Sequence, residues 1–170
     1  FGHQLMLPIP DVDRTDFLLM LGANPLVSNG SLLTAPGIEK RLKALRARGG
    51  RLVVVDPRRT ETAALADLHL KVRPGGDAFL LAALVHTLAG EKLLKPGRLS
   101  ASTDGLEPLV EAVRPFSPDA VAGRTGIDAE TIRTLALDFA EAPAAVAYGR
   151  VGTCTQEFGG LSLWLIYCLN

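Results

Sequence analysis

Cysteine is scarce in this sequence, which limits the kinds of site that the chain can hold. Cys154 and Cys168 are the only two among 170 residues, and they do not have CxxC spacing. A disulfide framework and a four-ligand zinc or iron–sulfur site therefore find little support. Two free thiols in or near a core are expected instead, which favours a reducing compartment, cytoplasmic rather than periplasmic.

An excess of either charge is also missing. Eighteen Lys and Arg residues balance eighteen Asp and Glu residues, without a long block of one sign. Nucleic-acid-binding proteins usually carry a basic stripe, and polybasic membrane anchors need a cluster of Lys and Arg. The sequence therefore predicts neither nucleic-acid nor membrane contact for this segment.

From the sequence, neither a targeting signal nor a membrane span is expected at the two ends. The sequence starts at Phe1 without a basic and apolar leader, and the apolar stretch 158–170 is too short to cross a bilayer. That stretch also stops without a helix-ending signal. We therefore expect an internal piece of a longer chain, folded as one α/β domain over residues 1–170.

The sequence does contain an alternation of short apolar runs with helical patterns. The expected strands are 16–21, 52–55, 68–72 and 144–148, and the expected helices are 36–48, 60–66, 77–89 and 128–141. Residues 90–127 are less regular, with one or two short helices, and 149–160 form a loop before an apolar helix. This alternation predicts an open Rossmann-like α/β three-layer sandwich with a mostly parallel sheet.

Four polar turn segments follow the expected strands, at 22–25, 56–60, 73–77 and 149–160. In an open parallel sheet, ligands bind outside the carboxyl ends of the strands, near the point where strand order reverses. The four segments are rich in Gly, Pro, Asn, Asp and Thr, which suits a nucleotide with a diphosphate. We expect all four to share one edge.

The first two segments offer groups for a ribose and a phosphate. Gly22 permits close approach of the backbone to a ligand, and Asn24, Ser28 and Ser31 offer polar side chains. The alternative for this segment is a plain turn that ends a strand. Asp56 stands where dinucleotide folds place an acid on the ribose hydroxyls.

The rest of the second segment is basic or can cap a helix. Arg58 and Arg59 can pair with phosphate, and Thr60 either caps a helix or bonds a phosphate oxygen. A solvated turn is the alternative for the whole segment.

The last two segments are open to structural and functional interpretations. Asp77 begins a helix, where a capping role worth ~1 kcal/mol is favoured on local sequence alone. The same carboxylate can accept two N–H bonds from guanine, a donor pair that adenine lacks. In the last segment Gln156 can bond a pterin edge, whereas Cys154 has no partner base or co-ligand and is expected to be a partly buried thiol. The three histidines form no ligand set and are interpreted as structural: His3, His69 and His86.

Together these segments resemble the molybdopterin oxidoreductase family, which includes dimethyl sulfoxide reductases, formate dehydrogenases and nitrate reductases. The matching stretches are 10–16, 21–25, 54–63, 66–67, 73–77 and 149–156. Each stretch alone is a weak match, but their order and spacing are specific. The resemblance runs over nearly the whole chain.

The resemblance implies a bis(molybdopterin guanine dinucleotide) cofactor with Mo or W in the full-length enzyme. It places the 22–25 loop and Asp56 on the diphosphate and ribose, Asp77 on the guanine, and the 149–156 loop on the pterin side. The implied cofactor-binding residues are Gly22, Ala23, Asn24, Pro25, Ser28, Asp56, Pro57, Arg58, Thr60, Pro74, Gly75, Asp77, Gly149, Gly152 and Gln156.

The resemblance also implies parts that lie outside this sequence. A [4Fe–4S] cluster is expected in a missing N-terminal region, and the partners are the remaining domains of the same polypeptide and electron-transfer subunits. Many relatives have His where this chain has Glu157, so a His-like role there is in doubt. No catalytic residue or metal ligand is assigned, and the isolated chain is predicted to be inactive.

Two other classes remain as alternatives. An NAD-type Rossmann domain requires GxGxxG after the first strand, which the 22–25 segment does not supply. Residues 117–141 resemble a helix-turn-helix, the fold of many DNA-binding proteins. Their acidic side chains, among them Asp119, Asp128 and Glu130, make a poor surface for phosphates.

Overall fold

The sheet has four strands, all parallel, as the sequence predicts. The structure, a computed structural model, describes residues 8–29, 33 and 35–170, apart from the side chain of Arg98. The strands are β1 (Phe17–Leu21), β2 (Arg51–Val55), β3 (Leu68–Leu70) and β4 (Ala145–Gly149), in the spatial order β3-β2-β1-β4. The strand order therefore reverses at β1, between its neighbours β2 and β4.

Helices account for most of the remaining chain. They are α1 (Pro25–Ser28), α2 (Ile38–Ala47), α3 (Glu61–Leu65), α4 (Asp77–Gly90), α5 (Leu106–Val113), α6 (Pro118–Thr125), α7 (Ala129–Glu141), α8 (Val151–Cys154) and α9 (Gly159–Leu169), with a 3-10 helix at Gly97–Ser102. Among the described residues, no helix has the length and apolar character needed to cross a membrane.

Local sequence signals explain several of these boundaries. The α2 helix ends at the expected glycines: the Gly50 N–H donates to Leu45 O at 2.9 Å, while Gly49 has a φ of +88°. This arrangement is a Schellman motif, and the positive φ favours glycine there. The expected caps are also present, because Thr60 Oγ1 accepts the Ala63 N–H at 3.1 Å and Asp128 Oδ1 accepts the Thr131 N–H at 2.9 Å.

The sheet separates two apolar cores, which gives the expected three layers. Side chains alternate along each strand, so Leu19 of β1 and Val53 of β2 face the core with α4, α7 and α9. Leu18 and Leu52 face the opposite core, with α2 and α3. Helix α4 packs against α5, α6, α7 and α9, which explains why it is apolar nearly all round.

The structure differs from the expected elements at β3, at α1 and in the 149–160 segment. Strand β3 ends at Leu70 rather than at residue 72, because the Arg73 N–H turns away to donate to Thr125 O at 2.7 Å. Helix α1 lies after the first turn, where no helix was expected. Region 90–127 holds α5 and α6, in agreement with the one or two short helices expected there, and also a 3-10 helix. The 149–160 segment, expected to be a loop, contains the single-turn helix α8.

Candidate functional site

The carboxyl ends of the strands bring the four turn segments to one edge of the sheet. The Gly22 N–H donates to Val55 O at 3.0 Å, and the Arg150 N–H donates to Leu21 O at 3.1 Å, which joins the segments after β1, β2 and β4. The 73–77 segment reaches the same edge, because the Gly75 N–H donates to Gln156 Oε1. The expected convergence is therefore present.

Gly22 is needed for contact between two segments of the protein. Its φ is +54°, and a Cβ atom there would lie 2.4 Å from the backbone N of Thr153. A Cβ atom on Gly152 would in turn lie 2.9 Å from Gly22 Cα, and the Gly152 N–H donates to Gly22 O at 3.0 Å. Two glycines thus allow α8 to lie directly on the turn after β1, at the point where strand order reverses.

Asn24 lies in the first turn, but its side-chain amide forms hydrogen bonds with α3 of the same chain. Its Nδ2 donates to Glu61 Oε2 at 2.8 Å, and its Oδ1 accepts the Thr62 hydroxyl at 2.7 Å. The hydrogen bond from Asn24 lowers the pKa of the Glu61 carboxyl. The side chain therefore ties the turn after β1 to α3.

Asp56 keeps part of its carboxylate open. Oδ1 accepts the N–H of Arg58 at 2.8 Å, while Oδ2 has no hydrogen bond in the part of the chain that the structure describes.

The histidines make contacts with the main chain. The main-chain oxygen of Asp56 contacts His69 Nε2 at 2.9 Å, and His86 Nδ1 contacts Val113 O at 3.2 Å. These two histidines have structural contacts, as expected, whereas His3 and Ser31 lie outside the described residues.

Asp77 does not cap its helix, so the capping interpretation is wrong. It is the first residue of α4, after the N-cap residue Gly76, and only 3% of its surface is exposed. Its carboxylate turns toward the segment after β4, where Gln156 Nε2 donates to Oδ2 at 2.7 Å and the Thr153 hydroxyl donates to Oδ1 at 3.4 Å. Tertiary contact therefore replaces the local cap.

The Gln156 amide joins the third and fourth segments. Besides its bond to Asp77, Nε2 donates to Gly152 O at 2.7 Å, and Oε1 accepts the Gly75 N–H. One side chain thus holds the start of α4 against α8. The group formed by Gly75, Asp77, Thr153 and Gln156 is called the Asp77 network below.

Burial dominates the electrostatics of Asp77. It raises the pKa of the carboxyl above its ordinary value of 3.8, although the hydrogen bonds from Gln156 and Thr153 oppose the rise. The negative charge of Asp56 adds to the rise. A carboxylate that is buried in a low-dielectric environment with few hydrogen-bond donors is stabilised by further N–H or O–H donors.

This raised pKa predicts a specific pH dependence of stability. The folded chain binds the Asp77 proton more tightly than the unfolded chain, so the free energy of unfolding falls as the pH rises through the raised pKa. Asp77→Asn has no such proton, so the difference in stability between the two proteins should change as the pH rises above the ordinary carboxyl value of 3.8. Urea unfolding at several pH values measures it, and parallel curves for the two proteins would contradict the prediction.

A cleft of about 260 Å³ lies at the carboxyl ends of the neighbouring strands β1 and β4. It is lined by Gly22, Ala23, Asn24, Pro25, Val27, Ser28, Leu33, Arg58, Tyr148, Arg150 and Val151. Six of these were expected from the sequence, namely Gly22, Ala23, Asn24, Pro25, Ser28 and Arg58. Tyr148 and Arg150 were not predicted from the sequence, although a polar aromatic residue and a cation directly at a strand end were the available signal.

The other expected residues lie around the cleft rather than in it. Gly75, Asp77, Gly152 and Gln156 form or border the Asp77 network, and Gly149 lines a separate groove of about 200 Å³ beside β4. Pro57 and Pro74 occupy exposed turns, and Thr60 is buried with its hydroxyl used as a cap.

No metal centre is present among the described side chains. No three His, Cys, Asp or Glu residues of the described ranges lie close enough together to hold an ion. Both cysteines are free thiols, and Cys154 is exposed rather than partly buried as expected. Burial nevertheless raises the pKa of the Cys154 thiol, which works against thiolate formation.

The segment that resembles a helix-turn-helix is part of the core. Helices α6 and α7 both pack against α4, and Arg133 forms ion pairs with Asp119 and Glu130. Its charge is therefore balanced within the segment. This packing favours a structural role for the helix pair over the DNA-binding alternative.

Comparisons with known proteins agree with this arrangement. A family model described as molybdopterin oxidoreductase matches residues 1–149. Formate dehydrogenase H of Escherichia coli is 30% identical over 153 residues, which are 90% of this chain and 20% of that protein. The assimilatory nitrate reductase catalytic subunit of Bacillus subtilis is 28% identical over 89% of this chain and 21% of its own length.

A solved structure supports the same relationship. The acetylene hydratase from Pelobacter acetylenicus superimposes with a TM-score of 0.82 at 31% identity, and the match covers 95% of this chain and 22% of that chain. The present chain spans about a fifth of the length of these relatives. The family match over most of the sequence shows that this chain belongs to the molybdopterin oxidoreductase family.

Proposed function

We propose that this chain is one domain of a longer molybdenum or tungsten oxidoreductase, and that it holds the guanine-dinucleotide part of a molybdopterin cofactor. The observation that carries the proposal is the buried Asp77 carboxylate, whose two oxygens accept hydrogen bonds from the segment after β4. Membership of the family supports a molybdopterin cofactor. The hydrogen-bond donors and acceptors of the four turn segments at the sheet edge fit a guanine nucleotide.

Guanine recognition follows from the acceptors at Asp77. The ring N–H and the exocyclic amine of guanine lie side by side, so a single carboxylate accepts both, whereas adenine has no such donor pair. Gln156 Nε2 already donates to Oδ2, which shows that an amine-type donor fits there. Guanine binding then requires the Gln156 amide to turn aside.

The ribose and the pterin are assigned to neighbouring segments. The open Oδ2 atom of Asp56 suits a ribose hydroxyl, and the 22–25 segment lies beside it at the same edge. The 149–156 segment faces the pterin side. When bound, the cofactor supplies a dithiolene-held metal that exchanges an oxo group, hydride or electrons with a small substrate. This chain contributes binding and orientation.

The proposed partner of this domain is the rest of the same polypeptide. Phe158, the N-cap residue of α9, is 43% exposed. Leu161 and Trp164 of α9 follow at three-residue intervals and are 47% and 49% exposed, which gives one apolar face. A second domain that covers this face is consistent with relatives about five times as long. The [4Fe–4S] cluster, electron-transfer subunits and a cytoplasmic location belong to the same proposal.

Nucleotide analysis of the purified full-length protein tests the proposal. Acid hydrolysis of a guanine dinucleotide cofactor releases guanosine monophosphate, so its amount should equal that of molybdopterin. A protein that contains molybdopterin without a nucleotide, or with a cytosine or adenine nucleotide, would refute the guanine assignment. Adenine nucleotide content, measured in the same hydrolysate, is the internal control.

A further inference from the structure

Strand β4 lies at one end of the sheet, and one of its two edges is free of any other described strand. The Arg150 N–H donates to Leu21 O at 3.1 Å, so the even-numbered residues of this strand bond toward β1. Residues two apart in a strand face the same edge, so the main chain of the odd-numbered residues faces the free edge. These residues are Ala145, Ala147 and Gly149.

The middle of this free edge is bonded by a side chain instead of a strand. The Ala147 N–H donates to Asn170 Oδ1 at 2.8 Å, and Asn170 Nδ2 donates to Ala147 O at 2.9 Å. One amide thus supplies the acceptor and the donor that a neighbouring strand would supply. Within the described ranges, nothing outside the sheet bonds to the main chain of Ala145 or Gly149. The hydrogen-bonding groups of the edge are therefore only partly satisfied.

The two outer edges of the sheet differ in their protection against a further strand. Strand β3 has three residues and lies between the charged residues Asp67 and Lys71. Short length and flanking charge are common protections of a free edge. Strand β4 has five residues and no charged side chain within it. The edge of β4 has the character of an edge that is paired in the native protein.

A groove of about 200 Å³ lies along this edge. Residues 146–150 and 8–10 line it, together with Leu163 and Ile166 of α9. Ile166 belongs to the core that contains α4, whereas Tyr148 belongs to the opposite core, so the groove adjoins both apolar layers. A strand presents its side chains alternately to its two faces. The groove therefore suits a strand with apolar side chains on both faces.

The path of the chain indicates where the next strand of the sheet lies. From β1 to β3 the chain crosses the sheet in one direction, with α2 and α3 on one face. From β3 to β4 it crosses in the opposite direction, with α4 and α7 on the other face. These crossovers have the same hand, and about 98% of such connections are right-handed. Because α9 lies on the same face as α4, a crossover of this hand leads from β4 away from β1, to the free edge.

We propose that the free edge of β4 binds a fifth, parallel strand, supplied by the segment of the same polypeptide that follows α9. This strand fills the groove and displaces the Asn170 amide from Ala147. A parallel strand ends at the edge where the four turn segments lie, so the turn after it adds a fifth segment beside 149–156. The proposal rests on the part of the proposed function that makes this chain one domain of a longer polypeptide. It does not depend on guanine recognition.

Amide hydrogen exchange of the full-length protein, resolved to single residues by mass spectrometry, tests for the strand. The N–H groups of Val146 and Tyr148 are the internal references, because they face β1. We expect the N–H groups of Ala145 and Gly149 to exchange within about ten-fold of these references, as members of one cooperative unit do. Faster exchange of both groups would show a free edge and overturn the fifth strand.

Asn170→Ala in the full-length protein separates the strand from the side-chain amide. If a strand bonds Ala147, loss of the amide should leave the exchange rate of the Ala147 N–H unchanged. If Asn170 itself covers the edge in the full-length protein, that rate should rise by about ten-fold, because the hydrogen bond is lost. Such a rise would overturn the proposal. The Val146 and Tyr148 N–H groups again serve as references for the stability of the sheet.

Photo-cross-linking identifies the origin of the strand. p-Benzoylphenylalanine replaces Leu163, which lines the groove, in the full-length protein, and mass spectrometry identifies the captured peptide. We expect a peptide that follows α9 in the same chain. The same replacement of Leu161, which is 47% exposed and lies outside the groove, is the matched control and should not capture that peptide.

The captured peptide also decides against the proposal in defined cases. Capture of a second copy of the chain, of another subunit or of a segment that precedes Phe1 would overturn the assignment to the segment after α9. Capture of the same peptide from Leu161 would show that the groove does not select it, and would also contradict the proposal. A failure of the guanine assignment in the nucleotide analysis would leave all of these results unchanged, so the two proposals fail separately.

Discussion

Gly22→Ala should destabilise the chain by about 2–5 kcal/mol. A left-handed backbone costs a residue with a side chain about 1–2 kcal/mol. In addition, the new Cβ would lie 2.4 Å from the Thr153 backbone, and overpacking of this kind costs roughly 1–3 kcal/mol. Urea unfolding of wild type and variant measures the loss.

Gly37→Ala separates the two contributions. Gly37 has a similar φ of +65°, but a Cβ there meets nothing within 4 Å. Its substitution should therefore cost only the conformational part, about 1–2 kcal/mol. If both variants lose the same stability, α8 does not press on the turn after β1, and the close approach of the two segments is wrong.

Asp77→Asn should abolish the preference of the full-length, cofactor-free protein for GDP over ADP. The asparagine keeps the volume of the side chain but replaces one acceptor oxygen with an N–H donor, which faces a donor of guanine. Bonds to a charged group contribute about 1.5–3 kcal/mol each, so GDP affinity should fall by about 10- to 100-fold. ADP affinity should change little, and titration calorimetry with both nucleotides measures the preference.

Asp104→Asn is the matched control for this substitution. Asp104 is an exposed carboxylate in the turn before α5, outside the cleft and the Asp77 network. The control should retain the wild-type preference for GDP. If Asp77→Asn also retains it, Asp77 does not read the guanine base, and its buried carboxylate is only a tie between α4 and α8.

The sheet and its order of helices are predictable because the signals are local and strong. Residues 52–55 are a continuous β-branched and apolar run, which suits a strand buried on both faces, and β2 covers them. The caps at Thr60 and Asp128 and the glycines after α2 are equally local. For these elements, the intrinsic propensity of the residues, the apolar sequence pattern and the tertiary packing all favour the same secondary structure.

The details of the site are less predictable, since they depend on contacts between distant segments. Local rules favour Asp77 as a cap, but its main partner Gln156 lies 79 residues away. Nothing in the 149–160 pattern predicts α8, because its one turn is held by the Gly22 contact rather than by an apolar period. Likewise, strand alternation places Tyr148 on one face of the sheet, but cannot show that its hydroxyl makes no hydrogen bond to any residue that the structure describes.

The most direct measurement is an experimental structure of the full-length protein with its cofactor bound. We expect the ring N–H and exocyclic amine of a guanine to lie within about 3.2 Å of the Asp77 carboxylate oxygens, with Gln156 turned aside. A nucleotide that binds at another edge of the sheet, while Asp77 still accepts its hydrogen bond from Gln156, would contradict guanine recognition by Asp77.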